Sequence, residues 1–156
     1  MTTELAKSDR DLWIALHKEI IRTGVVPQMA AWASNSGMDR ADLDTALDRL
    51  HENHYVALRE GNPQNDVREI LMLHPFSPVP TPHRVTCGET SYWANCFWDA
   101  LGIPPMLGHD GKIESSCGCC GTAATFEIKD GELSGGNGVV HFAVPAKDWW
   151  NDVEFT

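Results

Sequence analysis

The thiol of Cys96 and the carboxyl of Asp99 lie three positions apart near the middle of the chain. A cysteine thiolate binds soft metals strongly, and a neighbouring carboxyl can transfer a proton to whatever the metal releases. A free cysteine in aromatic surroundings is more often part of a core. An aspartate in the same surroundings has to be exposed, paired or held neutral, and the last two states are typical of catalytic carboxyls. The pair therefore indicates proton-coupled chemistry on a thiophilic ligand.

Residues 90–102 are predicted to form the one short helix that positions this pair. Thr90 is a suitable N-cap, Gly102 can end the helix, and no proline or glycine lies between them. Side chains three positions apart on a helix are neighbours on its surface. We therefore expect Cys96 and Asp99 to lie on one helix face.

A second group of thiols is concentrated in the sequence Cys-Gly-Cys-Cys-Gly, which contains Cys117, Cys119 and Cys120. A structural zinc site here needs further ligands, and the candidates stand at unfavourable spacing: Cys87, His109 and His141. A redox pair of Cys117 and Cys120 would usually begin a helix, whereas the residues after Gly121 are predicted to form a strand. The third interpretation is a soft-metal thiol set that works with Cys96. The three interpretations remain open at this stage.

Composition limits the classes of function. The 156 residues carry a formal net charge of −10, and both halves are acidic, with 12 acids against 8 bases in residues 1–80 and 10 against 4 in the rest. This balance argues against nucleic acid and anionic membranes as partners. No apolar run approaches the length of a membrane span, and no secretory signal stands at the N-terminus, so we expect a cytoplasmic protein with reduced cysteines.

The first half is predicted to contain three helices and a hairpin, which is the order of a winged helix-turn-helix. The predicted elements are helices over residues 9–22 and 27–33, a helix capped by Asp39, and strands at 55–58 and 69–73 around a turn at 61–65. The third helix carries five acids and only two arginines over residues 39–52, so it would repel phosphate. His51, His54 and His74 are interpreted as surface or hairpin residues rather than ligands.

The second half is predicted to form a small, mostly antiparallel sheet with the Cys96 helix packed on it. The predicted strands are residues 84–88, 112–117, 124–128 and 139–144, with a rigid connection at 103–108, turns at 129–133 and 134–138, and a last helical turn at 147–152. Four prolines in residues 75–83 exclude a helix or central strand there and indicate a linker. The chain is therefore predicted to be an α+β protein with a winged-helix-like domain at 1–74, a linker at 75–83 and an α+β domain at 84–156.

Four segments of the second half resemble the organomercurial (alkylmercury) lyase family. They are Pro-Phe-Ser-Pro-Val-Pro-Thr-Pro-His-Arg-Val at 75–85, Tyr-Trp-Ala-Asn-Cys-Phe-Trp-Asp-Ala-Leu-Gly-Ile-Pro at 92–104, Ser-Ser-Cys at 115–117, and Val-His-Phe-Ala-Val-Pro-Ala-Lys-Asp-Trp-Trp at 140–150. The resemblance is specific around Cys96 and weak in the first half, although the family also carries an N-terminal winged helix.

The resemblance implies cleavage of carbon–mercury bonds without a cofactor. In the family two cysteine thiolates bind the organomercurial, and an aspartate helps to deprotonate a thiol and then protonates the departing carbon, giving a hydrocarbon and mercuric ion. Cys96 matches the first cysteine and Asp99 matches the aspartate. The implied partners are small organomercurials and low-molecular-weight thiols, and mercury is substrate and product rather than a resident cofactor.

One departure from the family pattern concerns the second catalytic cysteine. In the family it lies C-terminal to the segment that matches 140–150, and this sequence has no cysteine after Cys120. The chain is therefore expected either to be weak or inactive, or to take its second thiol from Cys117, Cys119 or Cys120, although the family cysteine matching Cys117 is structural. The alternative function is a protein of the same fold that binds mercury, copper or zinc without cleaving a bond.

Overall fold

Three helices and a short antiparallel pair of strands form the first half of the chain. The computed structural model describes residues 5–59 and 68–151. The elements are α1 (Lys7–Thr23), α2 (Met29–Ser36), α3 (Arg40–Glu52), β1 (Ala57–Arg59) and β2 (Glu69–Met72). They lie where the apolar spacing predicted them, and the carboxylate of Asp39 accepts hydrogen bonds from the N–H groups of Ala41 and Asp42 at 2.9 and 3.4 Å, as a helix N-cap does. The turn predicted at 61–65 lies outside the described residues.

Helices α1 and α3 are held together by an apolar seam and one ion pair. Leu12, Leu16 and Ile20 of α1 are buried together with apolar residues of α3, which are Leu43, Ala46, Leu47 and Leu50. The guanidinium of Arg49 donates two hydrogen bonds to the Asp9 carboxylate, at 2.6 and 2.7 Å. Because Asp9 is only 2% exposed, this bidentate pair fixes the register of the two helices.

The second half is a five-stranded antiparallel sheet with one helix packed on it, as predicted. Its elements are β3 (Arg84–Cys87), β4 (Thr90–Trp93), α4 (Phe97–Leu107), β5 (Gly111–Ser116), β6 (Ala123–Lys129) and β7 (Glu132–Gly135), followed by a 3-10 helix at Ala146–Asn151. The strand order is β4-β3-β5-β6-β7. The register aligns Tyr92, Val85, Ile113 and Phe126 across four strands, on the buried face of the sheet. Helix α4 packs against β3 and β5.

The prediction of one helix over residues 90–102 is wrong at both ends. Residues 90–93 form β4, because pairing with β3 supplies backbone hydrogen bonds and buries Tyr92. The helix begins at Phe97, with Cys96 as its N-cap, and does not end at Gly102. It continues through Pro104 and Pro105, residues predicted to be a rigid connection, and ends at Gly108.

The prediction of a strand at 139–144 is also wrong. No strand is assigned between Gly135 and the 3-10 helix, and Val139 is 92% exposed. On the side away from β5, β6 pairs with β7, and β7 consists of residues that were predicted to form turns. Glycine at position 136 leaves room for the Phe126 ring beside the end of β7. A Cβ at Gly136 would lie 1.9 Å from Cε1 of Phe126, so the ring occupies the space that a side chain would need. The 3-10 helix confirms the helical turn predicted at 147–152 for the described residues.

The helical half contacts the five-stranded sheet at the end of α1. The hydroxyl of Tyr92 donates to the carbonyl of Ile21 at 3.0 Å. At Gly24, where α1 ends, a Cβ would lie 2.5 Å from the carbonyl oxygen of Ser91, so only glycine permits this approach. The domain boundaries at residues 74, 83 and 84 stay a prediction. None of the helices in the described part of the chain combines the length and the apolar composition of a membrane span.

Candidate functional site

Cys96 stands at the junction between β4 and α4. Its backbone is extended, with φ −141° and ψ 175°, and its sulfur accepts a hydrogen bond from the N–H of Asp99 at 3.4 Å. The sulfur therefore occupies the N-cap position, where unpaired N–H groups and the helix dipole favour a negative charge. A thiolate formed at Cys96 is stabilised by the first turn of α4.

The resting state of Cys96 is set by opposing effects. Burial raises the pKa of its thiol, and the charge of Asp99 raises it further, while the N–H groups of Asp99 and Trp98 lower it. A hydrogen bond between the thiol and the Asp99 carboxylate also favours the protonated form. The net shift is upward, so the thiol is protonated at neutral pH and loses its proton only to a base or on binding a metal.

Asp99 is brought to Cys96 as the third residue of α4, although the helix starts later than predicted. Its side chain is 19% exposed, and one carboxylate oxygen lies 3.9 Å from Nδ1 of His74. The expected juxtaposition of thiol and acid is therefore present, as an N-cap and an N3 residue rather than as two residues of a helix face.

Two histidines near the acid were not predicted to belong to the site, and His74 was interpreted as a surface or hairpin residue. His74 comes immediately before Pro75, and its ring also lies within 3.5 Å of the amide nitrogen of Asn95. Nδ1 of His83 is hydrogen-bonded to the hydroxyl of Ser115 at 2.8 Å. Burial lowers the pKa of His83, and the charge of Asp99 opposes that shift. His74 precedes the proline-rich segment 75–83 and His83 is its last residue, so the family-like sequence of that segment was the signal that could have pointed to them.

Aromatic residues near the end of the described chain cover this region. The ring of Trp150 stacks on His54, with centroids 4.1 Å apart and planes at 6°, and its edge faces His74 at 6.0 Å. Phe142 lies between Trp98 of α4, at 6.2 Å, and Trp149, at 5.2 Å. The segment at 142–150 therefore contacts both the first turn of α4 and the histidine beside Asp99.

The other cysteines belong to other elements of the fold. Cys87 is buried, and burial raises the pKa of its thiol. Cys117, Cys119 and Cys120 are exposed in the turn that joins β5 to β6. A hydrogen bond with the Thr122 hydroxyl, at 3.1 Å, does most to lower the pKa of Cys120, and a hydrogen bond with Cys117 contributes. Within residues 5–59 and 68–151, no three His, Cys, Asp or Glu side chains converge as metal ligands.

Comparison with known proteins assigns the chain to a family. The family model of the alkylmercury lyase MerB matches residues 76–156, slightly more than half of the chain. The solved structure of the mercury-bound form of MerB2 is similar to 84% of this chain, with a TM-score of 0.59 and 18% sequence identity, and this likeness supports the fold. The chain spans 60% of the length of that protein. No curated protein matches the sequence. From the extent of the family match, this chain belongs to the alkylmercury lyase family.

Proposed function

We propose that this protein cleaves the carbon–mercury bond of organomercurials, with Cys96 capturing mercury and Asp99 carrying the proton. The observation that supports this most directly is the hydrogen bond from the main-chain N–H of Asp99 to the Cys96 sulfur at 3.4 Å, which keeps the acid beside the thiol at the start of α4. A soft nucleophile and an acid–base group thereby share one ligand position. Membership of the alkylmercury lyase family supports the same chemistry.

The first step is exchange of a ligand on mercury. The Cys96 thiol attacks the metal of R–Hg–X, the anion X⁻ leaves, and the thiol proton passes to the Asp99 carboxylate. This base is needed because burial and the neighbouring charge keep the thiol protonated. The N–H groups of Trp98 and Asp99 then stabilise the sulfur as its bond to mercury forms.

The second step breaks the bond to carbon. A low-molecular-weight thiol loses its proton to solvent and binds mercury as a thiolate, and this second sulfur adds electron density to the metal and weakens its bond to carbon. The carbon leaves with the bonding electron pair and takes the proton from Asp99, giving R–H and a mercuric ion held by two sulfurs. Mercury stays in the +2 state throughout, so the reaction requires neither an oxidant nor a cofactor.

The histidines lie near the acid and do not react, and the aromatic rings line the first turn of α4. His74 lies 3.9 Å from the Asp99 carboxylate, and His83, held by Ser115, lies within its electrostatic range. The aromatic side chains of Trp98, Phe142 and Trp149 adjoin the first turn of α4 and offer an apolar surface to the organic group of the substrate.

Hydrocarbon release tests this proposal. Phenylmercury acetate, incubated with the protein and an excess of a small thiol, is expected to give benzene in repeated turnovers, measured by gas chromatography. Cys96→Ser removes the capturing sulfur and is expected to abolish turnover, whereas Cys119→Ser, at an exposed thiol, serves as the matched control and leaves it. Benzene release that survives in Cys96→Ser contradicts the proposal. Mercury uptake without benzene identifies a mercury-binding protein that does not cleave the bond.

A further inference from the structure

His17 of α1 is a buried polar side chain, 8% exposed, that no step of the proposed chemistry uses. Its Nδ1 lies 2.9 Å from the carbonyl oxygen of Trp13, one turn earlier in α1. Its Nε2 lies 3.0 Å from the carbonyl oxygen of His74. Each ring nitrogen therefore faces a carbonyl oxygen, and the imidazole joins α1 to the turn that leads into the proline-rich segment.

The two carbonyl acceptors define the protonation state that satisfies this geometry. A carbonyl oxygen only accepts, and a neutral imidazole has one N–H, so its other nitrogen would direct a lone pair at an oxygen. The imidazolium has two N–H groups and donates to both oxygens. The indole of Trp13, whose ring centroid lies 4.2 Å from that of His17, adds the attraction of an aromatic ring for a cation. The surroundings of His17 therefore fit its charged form.

The turn that His17 contacts brings His74 to the acid. Nδ1 of His74 lies 3.9 Å from the Asp99 carboxylate. In the same turn the carbonyl of Pro75 accepts a hydrogen bond from the N–H of Asn95 at 3.3 Å, immediately before the N-cap of α4. The His74 carbonyl is thus the point at which α1 acts on the surroundings of the candidate site.

We propose that His17 is a pH-dependent positioning residue, whose imidazolium ring clamps the main-chain carbonyl of His74 and so keeps the His74 ring beside Asp99. When the pH rises, the ring gives one proton to solvent and the clamp is lost by either of two routes. If Nε2 loses the proton, its lone pair faces the His74 carbonyl directly. If Nδ1 loses it, the lone pair faces the Trp13 carbonyl, which the helix holds in place, so the ring rotates and Nε2 moves away from His74.

Other titratable and charged groups also reach α1 and the turn from neighbouring elements. They are the His74 ring, the Asp99 carboxylate beside it, the Tyr55 ring against Trp13, the Tyr92 hydroxyl on the Ile21 carbonyl, and Arg49, which is paired with Asp9. Histidine is the type of side chain that ordinarily changes charge between about pH 5 and pH 8. The titration of the His74 ring is therefore the one that an experiment has to separate from that of His17.

NMR of the full chain between about pH 5 and pH 8 tests the clamp. Ring-¹⁵N histidine reports the protons on His17. His74 is the only histidine followed directly by proline, so carbonyl-¹³C histidine with ¹⁵N proline gives one signal from this peptide bond. We expect two ring N–H groups on His17 at low pH, one at high pH, and a shift of the His74 carbonyl signal with the same midpoint. The proposal is overturned if the number of N–H groups on His17 does not change, or if the carbonyl signal does not follow it.

His17→Gln separates the two histidines, because glutamine keeps a hydrogen-bond donor but does not titrate. The carbonyl step that shares the His17 midpoint is expected to disappear, whereas a step caused by the His74 ring remains. His109→Gln, at an exposed histidine, is the matched control and keeps both steps. A shared step that persists in His17→Gln contradicts the proposal, and the wild-type spectra decide it if this variant does not fold.

The effect of the clamp on the acid rests on the lyase chemistry proposed above. The pH profile of benzene release should show an inflection at the His17 midpoint, and His17→Gln should lose that inflection. A wild-type profile without it overturns the positioning role. Absence of benzene release at every pH contradicts the lyase proposal instead, and the NMR measurement still decides whether the clamp exists.

Discussion

The main-chain N–H of Asp99 donates a hydrogen bond to the sulfur of Cys96 at 3.4 Å, where helix α4 begins. The negative charge of the Asp99 side chain raises the pKa of the same thiol. One residue thus stabilises the thiolate through its backbone and the thiol through its side chain. Substitution of Asp99 separates the two effects, because it changes the side chain and leaves the backbone N–H in place.

Asp99→Asn is expected to lower the pKa of Cys96 and yet to reduce benzene release. Removing the negative charge removes one cause of the raised thiol pKa, so alkylation of Cys96 by iodoacetamide should reach its midpoint at lower pH, as followed by peptide mass spectrometry. Turnover of phenylmercury should fall by about 10²- to 10⁴-fold, the usual contribution of a general acid–base group. Glu89→Gln, an exposed acid, is the control. Unchanged turnover in Asp99→Asn would show that proton transfer does not use this carboxyl.

Trp150→Ala is expected to make Cys96 more accessible. Trp150 stacks on His54 and also contacts the ring of His74, so it holds the 3-10 helix against the histidine that lies 3.9 Å from the Asp99 carboxylate. An aromatic pair contributes about 0.5–1.5 kcal/mol, so loss of the stack should speed alkylation of Cys96 by about 2- to 10-fold.

His54→Asn removes the same stack from the other side, and asparagine tolerates the positive φ of 64° at this position. If the stack is the cause, the double variant should react no faster than the faster single variant. Additive effects on the alkylation rate would instead show that the two residues act separately.

Asp9→Asn is expected to destabilise the fold by about 2 kcal/mol at pH 7. Breaking a fully buried ion pair costs about 3–5 kcal/mol, and the loss is smaller here because the Arg49 side chain is 44% exposed. The hydrogen bonds from Arg49 lower the pKa of Asp9 despite its burial. The stabilisation is therefore present above the ordinary pKa of an aspartate and is lost as the pH falls through the lowered value.

Urea unfolding between pH 7 and pH 3 measures this difference. The gap between the wild type and Asp9→Asn should narrow below about pH 4. Asp11→Asn breaks the exposed pair with Lys7 and should cost less than about 0.5 kcal/mol. Equal losses for the two variants would contradict a structural role for the Asp9–Arg49 pair.

Gly111→Ala is expected to destabilise the protein by about 1–3 kcal/mol through overpacking. A Cβ at Gly111 would lie 2.5 Å from Cγ of Pro104 and 3.1 Å from the sulfur of Cys87, so α4 would have to move away from β5. Gly102 lies in α4, and no atom lies within 4 Å of a Cβ added there. Gly102→Ala should therefore stabilise the protein by about 0.5–1 kcal/mol. Thermal unfolding of both variants checks the opposite signs.

Local signals in the sequence were sufficient for the helices of the first half and for the choice of candidate residues at the site. The apolar spacing along α1 and α3 and the side chain of Asp39 act within a few residues, so the helices could be predicted. The softness of the Cys96 sulfur and the acidity of the Asp99 carboxyl follow from the residue types. Because the two residues are three positions apart, they stay close whether Cys96 is the N-cap of the helix or a residue within it.

Tertiary structure decided the elements that depend on pairing and packing with other segments. Residues 90–93 form a strand because β3 pairs with them, and α4 continues through Pro104 because that ring packs against Gly111. The pairing of β6 with β7 is a local hairpin across Asp130 and Gly131, whose Asp-Gly turn is a sequence signal that the prediction missed. The position of His74 beside Asp99, in contrast, depends on contacts between distant segments. Periodicity and turn composition report only local preference. The sequence by itself therefore indicated which groups are candidates for the site, and pairing and packing between segments decided which other side chains lie beside them.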